Sequence, residues 1–95
     1  MTVGVLRVVL HVPAAQSLKD RRSVVKRLKD QLRGRFNIAV AEVDAGERWQ
    51  LATLGITTVA GERRYAEGLL RDVTDWIRGT RLVGLSQVDE AYLES

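Results

Sequence analysis

The stretch S-L-K-D-R-R-S-V-V-K-R-L-K-D-Q-L-R-G-R-F, Ser17 to Phe36, reads as one amphipathic helix with a cationic flank. Ser17 is a good N-cap, since its hydroxyl can accept a hydrogen bond from an unpaired amide of the first turn, and Asp20 three residues on completes a capping-box pattern. At about 100° per residue Leu18, Val25, Leu28 and Leu32 fall in one apolar arc, with Val24 on its edge, and Gly34 is placed to stop the helix. An arc of that width must face a core. On the same wheel Lys19, Arg22, Lys26, Lys29 and Arg33 follow at i, i+3, i+7, i+10 and i+14, so five cations stack along one side. Arg21 is the odd residue, because it falls inside the apolar arc. Its guanidinium either snorkels past the helix start or pairs with a carboxylate such as Glu42.

Before the helix, Thr2 to Val12 (T-V-G-V-L-R-V-V-L-H-V) is nearly continuous aliphatic sequence rich in β-branched residues and reads as a strand. Alternation puts Leu6, Val8, Leu10 and Val12 on one face and Val3, Val5, Arg7, Val9 and His11 on the other, so the first set is the one to pack under a helix. Pro13 ends the strand. After the helix, Phe36 to Val43 reads as a second strand ending at the turn signal Asp44-Ala45-Gly46. Glu47 to Ala60 reads as a third, with Gly55 marking a bulge or a close approach. So short a connection pairs the two as an antiparallel hairpin. Gly61 to Arg78 repeats apolar residues at Ala66, Leu69, Leu70, Val73, Trp76 and Ile77, a second core helix stopped by Gly79. Arg81 to Leu93 reads as a closing strand, less regular than the others, with a helical or frayed end expected.

The order is β-α-β-β-α-β. Two right-handed β-α-β halves interleave four strands into one antiparallel sheet with both helices on one face, the α+β, ferredoxin-like sandwich, here one domain over residues 1–95. Helices are expected at about 18 to 33 and 62 to 78. The expected core is Leu6, Val8, Leu10, Val25, Leu28, Leu32, Leu69, Val73 and Trp76. The other sheet face, with Val3, Val5, Val9 and residues of the third strand, is left open to water or to a partner, and a homodimer through it is expected.

Composition narrows the function classes. There is no cysteine and one histidine, which removes disulfide frameworks, iron-sulfur ligation, zinc knuckles and thiol catalysis. The first apolar run, interrupted by Arg7 and His11, is too short for a membrane span or signal peptide, so a soluble, cytoplasmic protein with no membrane partner is expected. Residues 1–36 carry nine Lys or Arg against two Asp, a balance of +7, whereas residues 37–95 carry six against ten acids, a balance of −4. A cationic surface so concentrated draws phosphate or anionic lipid, and it is equally the ordinary way to keep a helix face in water.

Recognisable machinery is otherwise scarce. There is no G-x-G-x-x-G or Walker-type loop, no histidine pair, no D-x-D cluster and no assembled Ser, His and Asp set, so no catalytic residue, cofactor, metal or small-molecule substrate is assigned and a non-enzyme is expected. Aromatic base-stacking positions are missing from the first strand, and the third has only Trp49 near its start, which argues against reading RNA across the sheet. His11 is either a general base or proton-linked contact, or a structural or solvated strand-end residue, the commoner case for a lone histidine with no recognisable partner. Trp76 sits at core spacing, and Trp49 either anchors a partner or covers a sheet edge.

Three segments, Ser17 to Asp30, R-F-N-I-A-V-A-E-V-D from Arg35 to Asp44, and W-Q-L-A-T-L-G from Trp49 to Gly55, resemble the YlxP-like family of small bacterial proteins, a domain of unknown function. The resemblance implies a ferredoxin-like fold and, in some bacteria, a gene neighbourhood of ribosome-maturation and translation-initiation factors. It implies no established activity and no catalytic residues. Two expectations follow. The first is an RNA- or ribosome-associated binding module using Lys19, Arg22, Lys26, Lys29, Arg33 and Arg35 on phosphates without reading sequence. The other is a protein-interaction or regulatory module that dimerises through the open sheet face, with the basic flank serving solubility.

Overall fold

The computed structural model describes residues 1–44 and 48–95. The turn expected at Asp44-Ala45-Gly46 and the strand start expected at Glu47 therefore lie largely outside the described residues. The elements are β1 (Thr2–His11), α1 (Leu18–Arg35), β2 (Ala39–Asp44), β3 (Leu51–Ala60), α2 (Arg63–Gly79) and β4 (Gly84–Glu94). They form one four-stranded sheet of order β2-β3-β1-β4, antiparallel at every pairing, which is the ferredoxin-like arrangement.

Strand β1 occupies the centre, paired with β3 on one edge and with β4 on the other. Leu6, Val8 and Leu10 are wholly buried and meet Ile56, Leu54 and Ala52 of β3 in register. The helices pack on that face: α1 contributes Val25, Leu28 and Leu32, and α2 contributes Leu70, Val73 and Ile77. Each fully buried aliphatic side chain is worth about 1.5–3 kcal/mol relative to exposure, and this shared layer is what fixes both helices to one side.

Helix α1 starts as the capping pattern requires, with Ser17 Oγ accepting from the Asp20 amide at 3.1 Å, although Asp20 Oδ2 reaches back to the Gln16 amide at 3.0 Å instead of to the cap residue. Its end is a correction. Gly34 lies within the helix, none of the described glycines has positive φ, and Phe36 takes the cap with an extended backbone and an amide bonded to Leu32 O. Phe36 and Ile38 then pack against the core, so the chain between α1 and β2 is held by side-chain burial, and β2 begins at Ala39 instead of Phe36. Gly79 similarly ends α2 in helical conformation, with Thr80 as the cap.

Two core expectations were displaced around α2. Leu69 and Trp76 are half-buried, because the buried arc runs through Ala66, Leu70, Val73, Thr74 and Ile77 and leaves that pair, seven residues apart, on its flank. Gly55 is a close approach and the bulge is on its neighbour. The β2/β3 register shifts between Glu42 and Asp44, and a Cβ on Gly55 would meet Val43 Cγ1 at 2.8 Å. Strand β3 starts at Leu51, so Arg48, Trp49 and Gln50 lie in the preceding turn. Strand β4 starts at Gly84, shifts register opposite Val9/Leu10, and runs as strand to Glu94 with no helical end.

Candidate phosphate-binding surface

The cationic side of α1 faces outward along the β2 edge of the sheet. Lys19, Arg22, Lys26 and Arg33 are exposed and Lys29 half-exposed. From Lys19 to Arg33 the side chains climb about 21 Å at 1.5 Å per residue. A groove of about 350 Å³ follows part of this line, bounded by Arg22, Lys26, Lys29 and Arg33 with Glu42 of β2 on its far wall.

The six residues singled out in the sequence do not form one set. Lys26 Nζ is 3.1 Å from Asp30 Oδ2, and Arg33 Nη1 is 3.6 Å from Asp30 Oδ1. Arg33 Nη2 also donates to the Val40 carbonyl at 2.8 Å, tying α1 to the edge strand. Lys19, Arg22 and Lys29 make no ion pair among the described residues. Arg35 leaves the stripe altogether: its guanidinium lies over the Trp76 ring at 5.3 Å, since position 35 falls on the side of α1 that turns toward α2. The exposed ion pairs of Asp30 are worth at most about 1 kcal/mol, so a phosphate can displace them.

Arg21 shows why the stripe stays in place. It is 2% exposed, in the middle of the buried arc. Nη1 donates to the Arg48 carbonyl at 2.7 Å and to the Leu51 carbonyl at 3.3 Å, and Nη2 lies 3.8 Å from Glu42 Oε1. Pairing with Glu42 is therefore the alternative realised, joined by two backbone carbonyls that no spacing in the sequence pointed to. Glu42 Oε2 is buried and has no hydrogen-bond partner among the described residues.

On the opposite face of the sheet a second constellation lies where β1 ends. His11, exposed, lines a concavity of about 560 Å³ with Arg48, Trp49 and Leu51. A neighbouring one of about 410 Å³ is lined by Arg7, Asp44, Arg48 and Gln87. Sequence reasoning missed Arg7 and Arg48 as a pair because 40 positions separate them. The register Arg7↔Gly55 and the turn before β3 bring both to this end. Further along the same face Val5, Val59 and Leu93 are exposed. No group of three or more His, Asp or Glu able to hold a metal occurs among the described residues, and none of their helices is long and apolar enough to cross a membrane.

A family model described as a protein of unknown function, DUF503, matches residues 3–89. The chain is also similar to the "Uncharacterized protein YlxP" of Bacillus subtilis (strain 168), 33% identical over 63 residues that cover 66% of this chain and 68% of that protein. The matched span takes in both helices, the first three strands and the start of β4.

Proposed function

The chain belongs to the DUF503 family of proteins of unknown function, and from the geometry of its helix face we propose that it is a non-enzymatic module that binds the phosphate backbone of RNA, as free RNA or within a ribosomal particle. The single observation that carries the reading is the line of outward-facing cations on α1, three of them without an ion pair among the described residues, Lys26 paired with Asp30, and Arg33 held by Asp30 and the Val40 carbonyl. A solvated helix face normally intersperses acids among its bases, whereas this side offers one aspartate to five cations. Contacts of this kind carry no sequence information, so binding depends on salt and hardly on base order.

Replacing Arg22, Lys26 and Lys29 together by Gln tests it. All three lie outside the buried arc, so thermal melting stays unchanged. Binding to RNA weakens for every sequence, and the slope of log affinity against log salt flattens by about 2 on single strands, at roughly 0.7 per lost contact. Co-sedimentation with ribosomal particles at low salt disappears with it. Unchanged binding and an unchanged slope would mean that the face is merely solvated.

A second reading rests on the exposed aliphatic residues of the open sheet face, where Val5, Val59 and Leu93 are 43%, 59% and 70% exposed. A second copy packed face to face would cover them and form a homodimer. Sedimentation equilibrium showing monomer alone at high micromolar concentration removes it.

A further inference from the structure

The constellation on the open face has a composition that the helix stripe lacks. Of the two Trp and two Tyr in the chain, three carry an arginine over the ring: Trp76 has Arg35 at 5.3 Å, Tyr92 has Arg63 at 4.8 Å and Tyr65 has Arg64 at 5.3 Å. Trp49 has none among the described residues and is 51% exposed. The nearby arginines are equally unengaged. Arg21, Arg33, Arg63, Arg64 and Arg78 each have a carboxylate within 4.0 Å, while the guanidinium groups of Arg7 and Arg48, like those of Arg22, Arg27, Arg71 and Arg81, make no ion pair or hydrogen bond among the described residues. A free indole face beside two guanidinium groups, with Asp44 the one carboxylate lining either concavity among the described residues, suits a flat aromatic group that carries negative charge.

The place is also built and held. The carbonyls of Arg48 and Leu51, on either side of Trp49, both accept from the buried guanidinium of Arg21, and the Gln50 carbonyl accepts from the Val12 amide at 2.8 Å. Anchors at residues 48, 50 and 51 fix the backbone on both sides of the indole. The exposure of Trp49 is thus a property of an ordered turn, and little ordering entropy remains to be lost when a ligand stacks on it. Two open concavities, of about 560 and 410 Å³, meet here and share Arg48 and Leu51.

We propose that this end of the open sheet face binds an unpaired nucleotide, with the base stacked on Trp49 and its phosphate held by Arg48, flanked by Arg7 and His11. The ligand chemistry is a nucleobase joined to a phosphate, supplied by a free nucleotide or by one unit of a single strand. A duplex does not fit, because its bases are already stacked on one another. The site is separate from the α1 stripe and stands or falls independently of it.

The test uses the full chain carrying Trp76→Phe, so that Trp49 is the sole indole. It is titrated with a short single-stranded oligonucleotide of mixed sequence, the same sequence as a duplex, a nucleoside monophosphate, and inorganic polyphosphate at matched ionic strength. The strand is expected to quench Trp49 emission, and duplex and polyphosphate are not. Quenching by the monophosphate at comparable nucleotide concentration identifies a free nucleotide as the source, and quenching confined to the strand identifies nucleic acid. In the otherwise unaltered chain, Trp49→Ala weakens strand binding by about 5- to 150-fold, the range for one stacked base, and Arg48→Ala weakens it by removing the phosphate contact. The stripe variant with Gln at 22, 26 and 29 keeps the quenching at saturation by whichever of the strand and the monophosphate produced it, which separates the two surfaces. If Trp76→Phe does not fold, anisotropy of a labelled strand against the unaltered, Trp49→Ala and Arg48→Ala chains decides. Equal quenching by duplex and polyphosphate, no quenching by any ligand, or unchanged affinity in Trp49→Ala overturns the proposal.

Discussion

Replacing Arg21 by Met removes a buried charge while keeping its aliphatic stem, and the structure allows the cost to be worked out. The hydrogen bond to the Arg48 carbonyl is short, at 2.7 Å, and has a charged donor, a class worth about 1.5–3 kcal/mol, while the 3.3 Å bond to Leu51 is weaker. The ion pair at 3.8 Å adds less in direct attraction, but its loss strands Glu42, whose side chain is only 18% exposed. Breaking a buried pair from one side costs about 3–5 kcal/mol. Because Glu42 retains some access to water, the lower end, about 3 kcal/mol, is expected. For a chain of this size that lowers the melting temperature by about 12–24 °C, at 4–8 °C per kcal/mol. Urea denaturation followed by far-UV circular dichroism measures it, with an unchanged m value showing that the loss is in stability. The double variant Arg21→Met/Glu42→Leu also removes the stranded Glu42 carboxylate and should recover a good part of the loss. A single variant within about 1 kcal/mol of the parent, or a double variant no better than the single, would refute the assignment of Arg21 as a stabilising clamp.

Two further predictions concern the β4 side of the sheet. Gly4 lies under Leu70 and beside Tyr92, and a Cβ there would meet Leu70 Cδ1 at 2.8 Å and Tyr92 Cε1 at 3.1 Å. Leu70 is wholly buried and has little room to yield, so Gly4→Ala should destabilise by about 1–3 kcal/mol, read as a lower urea midpoint. The Tyr92 phenol is pushed above its ordinary value of 10.0 by burial first, then by Glu90 and Glu67, with Arg63 opposing. An acid whose folded pKa is raised favours the protonated fold, so its contribution is complete below pH 10 and is lost as pH rises through the folded value. Ultraviolet titration should show Tyr92 ionising above pH 10 and moving back down in Glu90→Gln; an unchanged titration in that variant would discount the carboxylate.

The fold was legible because its signals are local and redundant. The aliphatic alternation of β1, the Ser17 cap and the spacing of Val25, Leu28 and Leu32 all point one way, and the element order leaves few topologies. What the sequence hid depends on distant partners. Gly34 looked like a helix stop, yet the burial of Phe36 and Ile38 carries the helix past it to Arg35. The buried arc of α2 passes one position away from Leu69 and Trp76, a rotation that periodicity cannot resolve when apolar residues flank both sides. The line of cations on α1 could be counted in advance, but not the withdrawal of Arg35 to Trp76 or the hold of Asp30 on two of its members. The grouping of Arg7, His11, Arg48 and Trp49 was invisible, because it exists only through antiparallel pairing of β1 with β3.

The central position of β1 also shapes how the chain comes into being. Its two neighbours in the sheet are residues 51–60 and 84–94, so the first strand to be synthesised is flanked by partners made later, one of them at the far end of the chain. At about 5–20 residues per second, roughly 4–17 s separate the synthesis of His11 from that of Glu94. Throughout that interval a ten-residue aliphatic segment with unpaired backbone on at least one side must remain in solution while α1, with its excess of positive charge, is already made. Pairing β1 with β4 joins strands across most of the chain, so it carries a larger loop-closure entropy than the pairing of β1 with β3.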